Sequence, residues 1–209
     1  HYVLDLWFEK CIKKQLYGEA YLVRFADDFL IMFQYERDAQ RVYEAIIKRM
    51  ELFGLELFKE KTRILPFGRY SVSRETFDFL GFTHFNSKTR KGYYTVGHKI
   101  SRKKKKQFKS NLKKWVKKNR DKQFDEFMKK LNKKLTGSFN YYSLSGMIRE
   151  VRSLWIHSLY VTFKWMNRRS QRRSFKLERF YEIWHERIIH PYIHVDIWSG
   201  DKVIYNKKV

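Results

Sequence analysis

Cysteine is almost absent from this chain of 209 residues, since Cys11 is the only one. A single cysteine excludes internal disulfides and zinc sites built from several cysteines, and it suits a reducing compartment such as the cytoplasm. No stretch approaches the run of about 18 apolar residues that a membrane helix needs, so we expect no membrane partner. The first residues lack a basic region followed by an apolar one, so we expect no secretory signal peptide. The missing initiator methionine suggests a fragment.

Acidic residues are scarce only in the second part of the chain. Residues 1–82 carry 13 basic and 13 acidic side chains, whereas residues 83–209 carry 33 basic and 9 acidic ones. The net charge of +24 therefore lies in the second part. Because 43% of all residues are apolar, the chain can still bury a sizeable core. The asymmetry predicts one part that holds a polyanion and another part with a different task.

Two adjacent acids, Asp27 and Asp28, lie between two apolar runs in residues 21–33. This pattern predicts a strand, a tight turn and a second strand, with both acids at the tip. Neighbouring carboxylates on a rigid turn repel each other and resist desolvation, and a divalent cation would relieve that conflict. Carboxylates are ligands that Mg²⁺ prefers, so the tip is a candidate magnesium site. A solvated Asp-Asp turn without a metal is the alternative.

The rest of the neutral part is predicted to mix helices with short strands. Helical periodicity over residues 1–17 and 36–53 predicts two helices, and Gly54 stands where the second would end. Short strands are predicted at residues 55–57, 63–65 and 77–82. The neutral part is therefore expected to be an α+β unit.

The basic part is predicted to be a bundle of amphipathic helices. Residues 99–134 carry 17 basic and three acidic residues, with apolar positions at helical spacing. Gly137 is predicted to end the second helix before an aromatic turn at residues 139–142, and a third helix is expected over residues 146–167. A fourth, shorter helix is expected to end at Pro191. Such a density of charge repels itself unless a polyanion binds, although a solvated bundle or a localisation tag at residues 102–106 would also explain it.

In this order, the elements resemble the C-terminal part of a bacterial group II intron-encoded reverse transcriptase and maturase. Phe25-Ala26-Asp27-Asp28 resembles that family's Tyr-Ala-Asp-Asp polymerase motif, with Phe in place of Tyr. Residues 59–62, Lys-Glu-Lys-Thr, resemble its Lys-Thr element, and residues 77–82 resemble its primer-gripping strand. Residues from about 108 to 191 are similar to its maturase-specific, or thumb, domain. The resemblance implies an α+β fold, with the end of a polymerase palm in residues 1–98 and an all-α basic thumb or maturase domain in residues 99–209.

The resemblance also implies a polymerase mechanism. Asp27 would be a ligand of two catalytic Mg²⁺ ions and Asp28 a neighbouring acid, where a primer 3′-hydroxyl attacks a deoxynucleotide. Two-metal polymerases need a further carboxylate from an earlier strand, and no acid of this chain is a convincing substitute. We therefore expect the chain alone to be inactive as a nucleotidyltransferase.

Further residues are expected to contact the substrates. Those near the triphosphate would be Phe25, Ala26 and Lys61. Those that hold the primer end would be Phe79, Leu80 and Gly81. Those that bind nucleic acid in the basic part would be Arg102, Lys103, Lys104, Lys105, Lys106, Lys109, Lys113, Lys117, Lys130, Tyr141, Tyr142, Arg168, Arg169, Arg172 and Arg173.

The resemblance is compatible with several functions. The chain is expected to be part of an RNA-directed DNA polymerase that also binds structured intron RNA for splicing and mobility, in a cytoplasmic ribonucleoprotein. Its partners would be that RNA, a cDNA primer and deoxynucleotides. A non-catalytic RNA-binding maturase module is the alternative, as is a retron, diversity-generating or CRISPR-associated reverse transcriptase. Aromatic residues between basic ones suit folded RNA better than double-stranded DNA.

Overall fold

The first elements of the chain pack helices against a β-hairpin. The structure, a computed structural model, describes residues 2–58, 60–169 and 174–196. A helical segment, wound largely as π-helix, covers Tyr2–Leu6 and Phe8–Ile12 and ends in a 3₁₀ turn at Lys13–Gln15. Strands β1 (Ala20–Phe25) and β2 (Asp28–Phe33) and helix α1 (Glu36–Leu52) follow. The predicted order of helix, hairpin and helix is confirmed.

The antiparallel pairing of β1 with β2 decides which side of the hairpin is buried. Side chains alternate between the two faces of a strand, so one face of the hairpin is directed toward the helices. That inner face carries Ala20, Leu22, Phe29, Ile31 and Phe33. It packs on a core from the helical segment and α1, made of Leu4, Phe8, Val42, Ile46 and Met50. A two-stranded hairpin is only marginally stable by itself, so its formation depends on this packing.

A buried carboxylate fixes the entry into the hairpin. Asp38 lies in the first turn of α1 and is 1% exposed. Its Oδ2 accepts hydrogen bonds from the backbone N–H groups of Tyr17 and Gly18, at 3.0 and 3.1 Å. The N-terminal end of a helix also favours a negative charge. The chain before β1 is therefore tied to the start of α1.

A second sheet has the strand order β3-β4-β5 and is antiparallel. Its strands are β3 (Thr76–Phe79), β4 (Phe82–Lys88) and β5 (Tyr94–Ile100). The prediction of one strand over residues 77–82 is wrong, because Leu80 and Gly81 form a turn between two strands. Both residues have positive φ, 49° and 82°, as a two-residue type I′ hairpin turn requires.

The strands predicted at residues 55–57 and 63–65 are also wrong, because those segments are irregular. The alternation of Leu55 and Leu57 does not reflect a shared buried face, because Leu57 packs against the core whereas Leu55 is half exposed. The Leu55 N–H donates to the carbonyl of Met50 at 2.9 Å and so completes the end of α1. An alternating pattern yields a strand only where another strand lies alongside to pair with it.

The basic part forms the predicted helices, with two corrected ends. They are α2 (Arg102–Asn119), α3 (Phe124–Tyr142), α4 (Ile148–Met166) and α5 (Leu177–Arg187). The fourth helix ends at Arg187 and not at Pro191, because the backbone is already extended at Ile188. Gly137 does not end α3, and residues 139–142 are helical instead of an aromatic turn. Phe139 and Tyr142 continue the buried face of that helix. Their burial outweighs the cost of a helical glycine, which is about 1 kcal/mol.

By its internal contacts the chain divides into two units. Residues 1–80 with 85–96 form the N-terminal unit, and residues 81–84 with 97–209 form the helical unit. In the helical unit, α2 and α5 pack on α4, and α5 also packs on α3. Its core includes the fully buried side chains of Leu112, Phe127, Leu131, Leu154, Phe180 and Trp184. No described helix has the length and apolar character that crossing a membrane requires.

Replacing Asp38 with alanine is expected to destabilise the N-terminal unit by about 2 kcal/mol, because two backbone N–H groups lose their acceptor. Urea unfolding followed by circular dichroism measures the change. Glu44→Ala removes an exposed acid from the same helix and is the matched control. Equal losses in both variants would contradict the role of Asp38.

Three histidines of the helical unit lie where protonation is unfavourable. Burial lowers the pKa of His185, and the neighbouring His190, whose Nε2 lies 3.0 Å from His185 Nδ1, lowers it further. Burial and the charge of Lys109 lower the pKa of His157, and burial lowers the pKa of His194. The folded state therefore binds these protons less readily than the unfolded state.

The helical unit is accordingly expected to lose stability as pH falls from about 7.5 to 5.5, through the unfolded histidine pKa of about 6.5. Unfolded chains take up protons first in this range, so the thermal midpoint should drop by a few degrees. Melting curves across the range measure it. The double variant His157→Gln, His185→Gln should flatten the profile, and a wild-type midpoint that stays constant would refute the idea.

Candidate functional site

The tip of the β1–β2 hairpin is a two-residue loop, Ala26 and Asp27. Phe25 pairs with Asp28, which makes Asp28 the first residue of β2 instead of a loop residue. The predicted position at the tip is thus confirmed for Asp27, and Asp28 lies one step into the strand. Because Asp28 is opposite Phe25, both side chains share the outer face of the hairpin.

The tip holds backbone strain. Ala26 has φ of 52°, a left-handed conformation that side chains other than glycine rarely adopt. Within the described part of the chain, Leu80 of the β3–β4 turn is the one other such residue apart from glycines. Conformations of this kind cost about 1–3 kcal/mol each and concentrate at functional sites. Both strained residues fall in segments that the sequence marks as candidate sites.

Arg24 clamps the strained tip to the helical segment before it. Its Nε and Nη2 donate to the two carboxylate oxygens of Asp5, both at 2.7 Å. Its Nη1 donates to the carbonyl oxygen of Ala26 at 3.1 Å. The hydrogen bond from Arg24 holds the pKa of Asp5 below its usual value, and the same bond raises the pKa of Arg24. One guanidinium therefore fixes both the helix and the turn.

The carboxylates of Asp27 and Asp28 are exposed and available. Within residues 2–58, 60–169 and 174–196 neither has a hydrogen-bond or ion-pair partner. Over the same ranges, no group of three His, Cys, Asp or Glu side chains is arranged to hold a metal ion. The pair can thus donate ligands to a cation, but the described residues do not close a metal site around it.

The outer face around Asp28 is apolar and open. Tyr21, Val23, Phe25 and Met32 are 53, 44, 65 and 45% exposed. A carboxylate at the end of an apolar face loses more of its hydration when a large partner covers that face than it would on a polar surface.

Lys61 lies in a turn after α1. The N–H groups of Lys61 and Thr62 both donate to the carbonyl of Phe58, at 2.9 and 3.0 Å, and the Lys61 ammonium lies 4.6 Å from the centre of the Phe58 ring. Lys59 lies outside the described residues. No contact joins Lys61 to the acids of the hairpin tip within the described chain.

The predicted primer-gripping residues lie at the β3–β4 turn. Phe79 is the last residue of β3, and Leu80 and Gly81 form the loop. In the helical unit, the Gly81 carbonyl accepts a hydrogen bond from the N–H of Ser101 at 2.9 Å. A side chain at Gly81 would be strained by its φ of 82° and would meet the stem of Lys104 at 3.4 Å.

Three aromatic rings join the start of β4 to the end of α3. The centroids of Phe82 and Tyr141 are 5.6 Å apart in a stacked arrangement, and Tyr142 packs edge-on against both rings at 5.6 and 4.9 Å. Tyr142 is 9% exposed, whereas Tyr141 is 53% exposed. Tyr141 thus offers a surface to a ligand, and Tyr142 contributes to the packing.

The candidate nucleic-acid residues of the basic part differ in their availability. Those that are exposed on the helices are Arg102, Lys103, Lys104, Lys106, Lys113, Lys117, Lys130 and Arg168, whereas Lys105, Lys109 and Arg169 are half-buried. Three of them have partners within the chain: Lys105 pairs with Glu150 at 3.0 Å, Lys130 pairs with Glu126, and Arg169 donates to the Lys122 carbonyl at 2.7 Å. Arg172 and Arg173 lie outside the described residues.

Two protein families match the chain in the order of these elements. Residues 2–84 match the family described as reverse transcriptase (RNA-dependent DNA polymerase), and residues 105–182 match the group II intron, maturase-specific domain. The chain belongs to the group II intron reverse transcriptases and maturases. Neither a search of curated proteins nor a search of solved structures found a match. The two domains give this maturase a function in intron splicing and mobility, and the intron-specific domain argues against a retron, diversity-generating or CRISPR-associated enzyme.

Two residues of the maturase's hairpin site, Arg24 and Asp5, were not predicted from the sequence. A signal for Arg24 existed, because alternation from Ala20 and Leu22 places it on the face of β1 that packs on the helices, at the exposed end of that face. A charged residue at such a position needs a partner of opposite charge. The identity of that partner, on a helix 19 residues earlier, required the structure.

Replacing Arg24 with alanine in a maturase that polymerises is expected to lower the rate of primer extension by about 10- to 100-fold, because Arg24 would hold the loop that carries Asp27, a predicted metal ligand, and losing such a supporting residue has an effect of this size. The Mg²⁺ concentration for half-maximal rate should rise, whereas the KM for primer and template should not change. Arg24→Lys keeps the positive charge but not the bidentate hydrogen bonds, so its rate of primer extension should lie between those of wild type and Arg24→Ala. Lys48→Ala, at an exposed position in the same unit, is the control; a normal Mg²⁺ dependence in Arg24→Ala would exclude a positioning role.

Proposed function

We propose that residues 1–98 act as the end of a polymerase palm and residues 99–209 as a thumb that holds RNA. The observation that carries this proposal is the β1–β2 hairpin tip, where two available carboxylates follow a strained residue that Arg24 clamps. A two-residue hairpin needs a residue with positive φ in any case, but a merely solvated turn would not require a guanidinium that connects the turn to a helix. The match to reverse transcriptases over residues 2–84 supports the same assignment.

Asp27 is the proposed ligand for catalytic Mg²⁺, and Asp28 is the neighbouring acid. Asp27 lies in the loop and Asp28 in the strand, so their side chains leave the backbone in different directions and do different work. When bound, Mg²⁺ would stabilise the attacking and leaving oxygens of nucleotidyl transfer. Arg24 keeps the loop in place while partly balancing the negative charge of the tip.

The pair supplies one side of the metal site. No third acid joins Asp27 and Asp28 within residues 2–58, 60–169 and 174–196. A two-metal mechanism requires ligands on both sides of the ions, so we propose that a further carboxylate completes the site in the active polymerase. The chain of 209 residues is then not an efficient polymerase alone.

Lys61 and the β3–β4 turn complete the proposed substrate contacts. Lys61 would lie near the triphosphate, where its ammonium can balance the charge of the leaving pyrophosphate. Phe25 and Ala26 would border the same nucleotide. Phe79, Leu80 and Gly81 would hold the primer end, because a type I′ turn with a glycine lets a nucleic-acid backbone approach closely.

The helical unit is the proposed RNA-binding surface. Its exposed lysines and arginines on α2 and near the end of α4 provide cations for backbone phosphates, and Tyr141 provides a ring for an unpaired base. Such a maturase would work in a ribonucleoprotein with the intron RNA in the cytoplasm. RNA binding and polymerisation are therefore expected to be separable by mutation.

Asp27→Asn in a reverse transcriptase that contains this chain and the third carboxylate is expected to reduce cDNA synthesis by more than about 100-fold, since a metal ligand is lost. Affinity for intron RNA should stay within a few-fold. Primer extension and filter binding measure the two quantities, and Glu44→Gln, at an exposed position of α1, is the control. A large loss of RNA affinity, or efficient extension by the isolated 209-residue chain, would contradict the assignment.

A further inference from the structure

Three cations converge on one tryptophan ring in the helical unit. Lys117 Nζ lies 5.7 Å from the centroid of the Trp165 ring, and the guanidinium carbons of Arg120 and Arg168 lie at 5.5 and 5.4 Å. The cations come from three places: the last turn of α2, the residue that follows α2, and the segment after α4. Lys117 and Arg120 are one helical turn apart in the chain, as are Trp165 and Arg168, and folding brings these two pairs together.

The cluster carries more positive charge than its surroundings balance. Asp121 is the nearby acid, but it is 73% exposed and its carboxylate is 3.7 Å from Arg120 Nε, too far for a hydrogen bond. Lys117 and Arg168 have no carboxylate partner among the described residues. Arg120 Nε is buried and donates to no acceptor in the same part of the chain.

Packing alone does not account for this arrangement. Cations near the C-terminal ends of α2 and α4 interact favourably with the helix dipoles, by about 0.3–1 kcal/mol each. Cations distributed around the helix ends would gain the same stabilisation from the helix dipoles. Here all three lie within 6 Å of one ring centre. The three cations therefore share a region not much wider than the screening length of about 8 Å at physiological salt, in which like charges still repel one another.

We propose that Lys117, Arg120 and Arg168, organised by Trp165, bind a phosphate of the RNA backbone. The face of an indole ring attracts cations and restricts their side chains, at about 0.5–1 kcal/mol per exposed pair. An oxyanion between two guanidinium groups and an ammonium accepts several charge-assisted hydrogen bonds and removes the repulsion. Trp165 is a positioning residue in this site, which rests on the proposed RNA-binding function of the helical unit.

The neighbouring contacts make the site a rigid one. Arg169 donates to the carbonyl of Lys122 at 2.7 Å, which ties the α2–α3 connection to the end of α4. The side chain of Asn119 donates to the carbonyl of Trp115 at 2.8 Å and closes the last turn of α2. These two bonds fix Asn119 and Arg169, the residues next to Arg120 and Arg168 in the chain. A preorganised group of cations binds a phosphate with a smaller loss of side-chain entropy than free lysines do.

The test uses Trp165→Leu, which leaves the net charge unchanged. RNA affinity of the full 209-residue chain is measured by fluorescence anisotropy from 50 to 300 mM KCl with a structured intron RNA. Losing one ordered phosphate contact should reduce the slope of log affinity against log salt by about 1 and weaken binding several-fold. Trp165→Phe should keep most of the affinity, and Tyr160→Leu, an exposed aromatic of the same helix, should match wild type.

An unchanged salt slope in Trp165→Leu would overturn the proposal, because the cations would then act as independent surface charges. Thermal unfolding checks that the variants are folded; should the leucine variant fail to fold, Arg120→Gln with its partner Arg120→Lys gives the same comparison. In a competition experiment, inorganic phosphate or, as a control, sulfate is added to the protein–RNA complex at equal ionic strength. Selective displacement of RNA by phosphate from wild type alone would support the proposal, because RNA and phosphate then compete for the same cations. Phosphate that binds to wild type without displacing RNA would assign the site to free phosphate and overturn the RNA assignment. Wild-type chain that binds no RNA would instead refute the proposed function.

Discussion

The ion pair of Arg24 with Asp5 is the constraint on which the hairpin site depends. A two-stranded hairpin is marginal by itself, and its loop contains Ala26 in a conformation that costs about 1–3 kcal/mol. Burial of the inner face against the helices holds the strands but does not fix the loop. The guanidinium does, because it satisfies the Ala26 carbonyl and both carboxylate oxygens of Asp5 at once. The position of Asp27 therefore depends on a helix that precedes the hairpin.

Periodicity was sufficient to predict the helices and the hairpin, because each has a continuous buried face that the sequence displays. It failed where the outcome depends on a distant segment. Leu55 and Leu57 alternate as in a strand, but neither of the sheets in the described part of the chain includes them. Gly137 suggests a helix end locally, whereas the burial of Phe139 extends the helix. The same holds for the hairpin site. Asp27 and Asp28 could be predicted from the residues beside them in the sequence, whereas the contact of Arg24 with Asp5 joins distant segments and was not predicted.

Charge alone overstates how many cations of the helical unit can bind RNA. The lysines and arginines outnumber the acids greatly, yet Lys105 and Lys130 already pair with glutamates in the fold. Each cation that is neutralised internally releases no counterion when RNA binds, so it adds little to the salt dependence. The salt slope of binding consequently reports the free cations, and it should be smaller than the net charge of +24 suggests.

A chain with so many cations attracts any polyanion, so recognition of a particular RNA must come from geometry. Exposed lysines on flexible stems give affinity without preference, because they follow whatever phosphate approaches. Contacts with aromatic rings restrict the positions of the cationic side chains. Trp165 gathers three cations at fixed positions, and Phe82 supports the exposed Tyr141 from behind. The aromatic residues of the helical unit therefore convert a diffuse positive field into positions that a folded RNA either matches or does not.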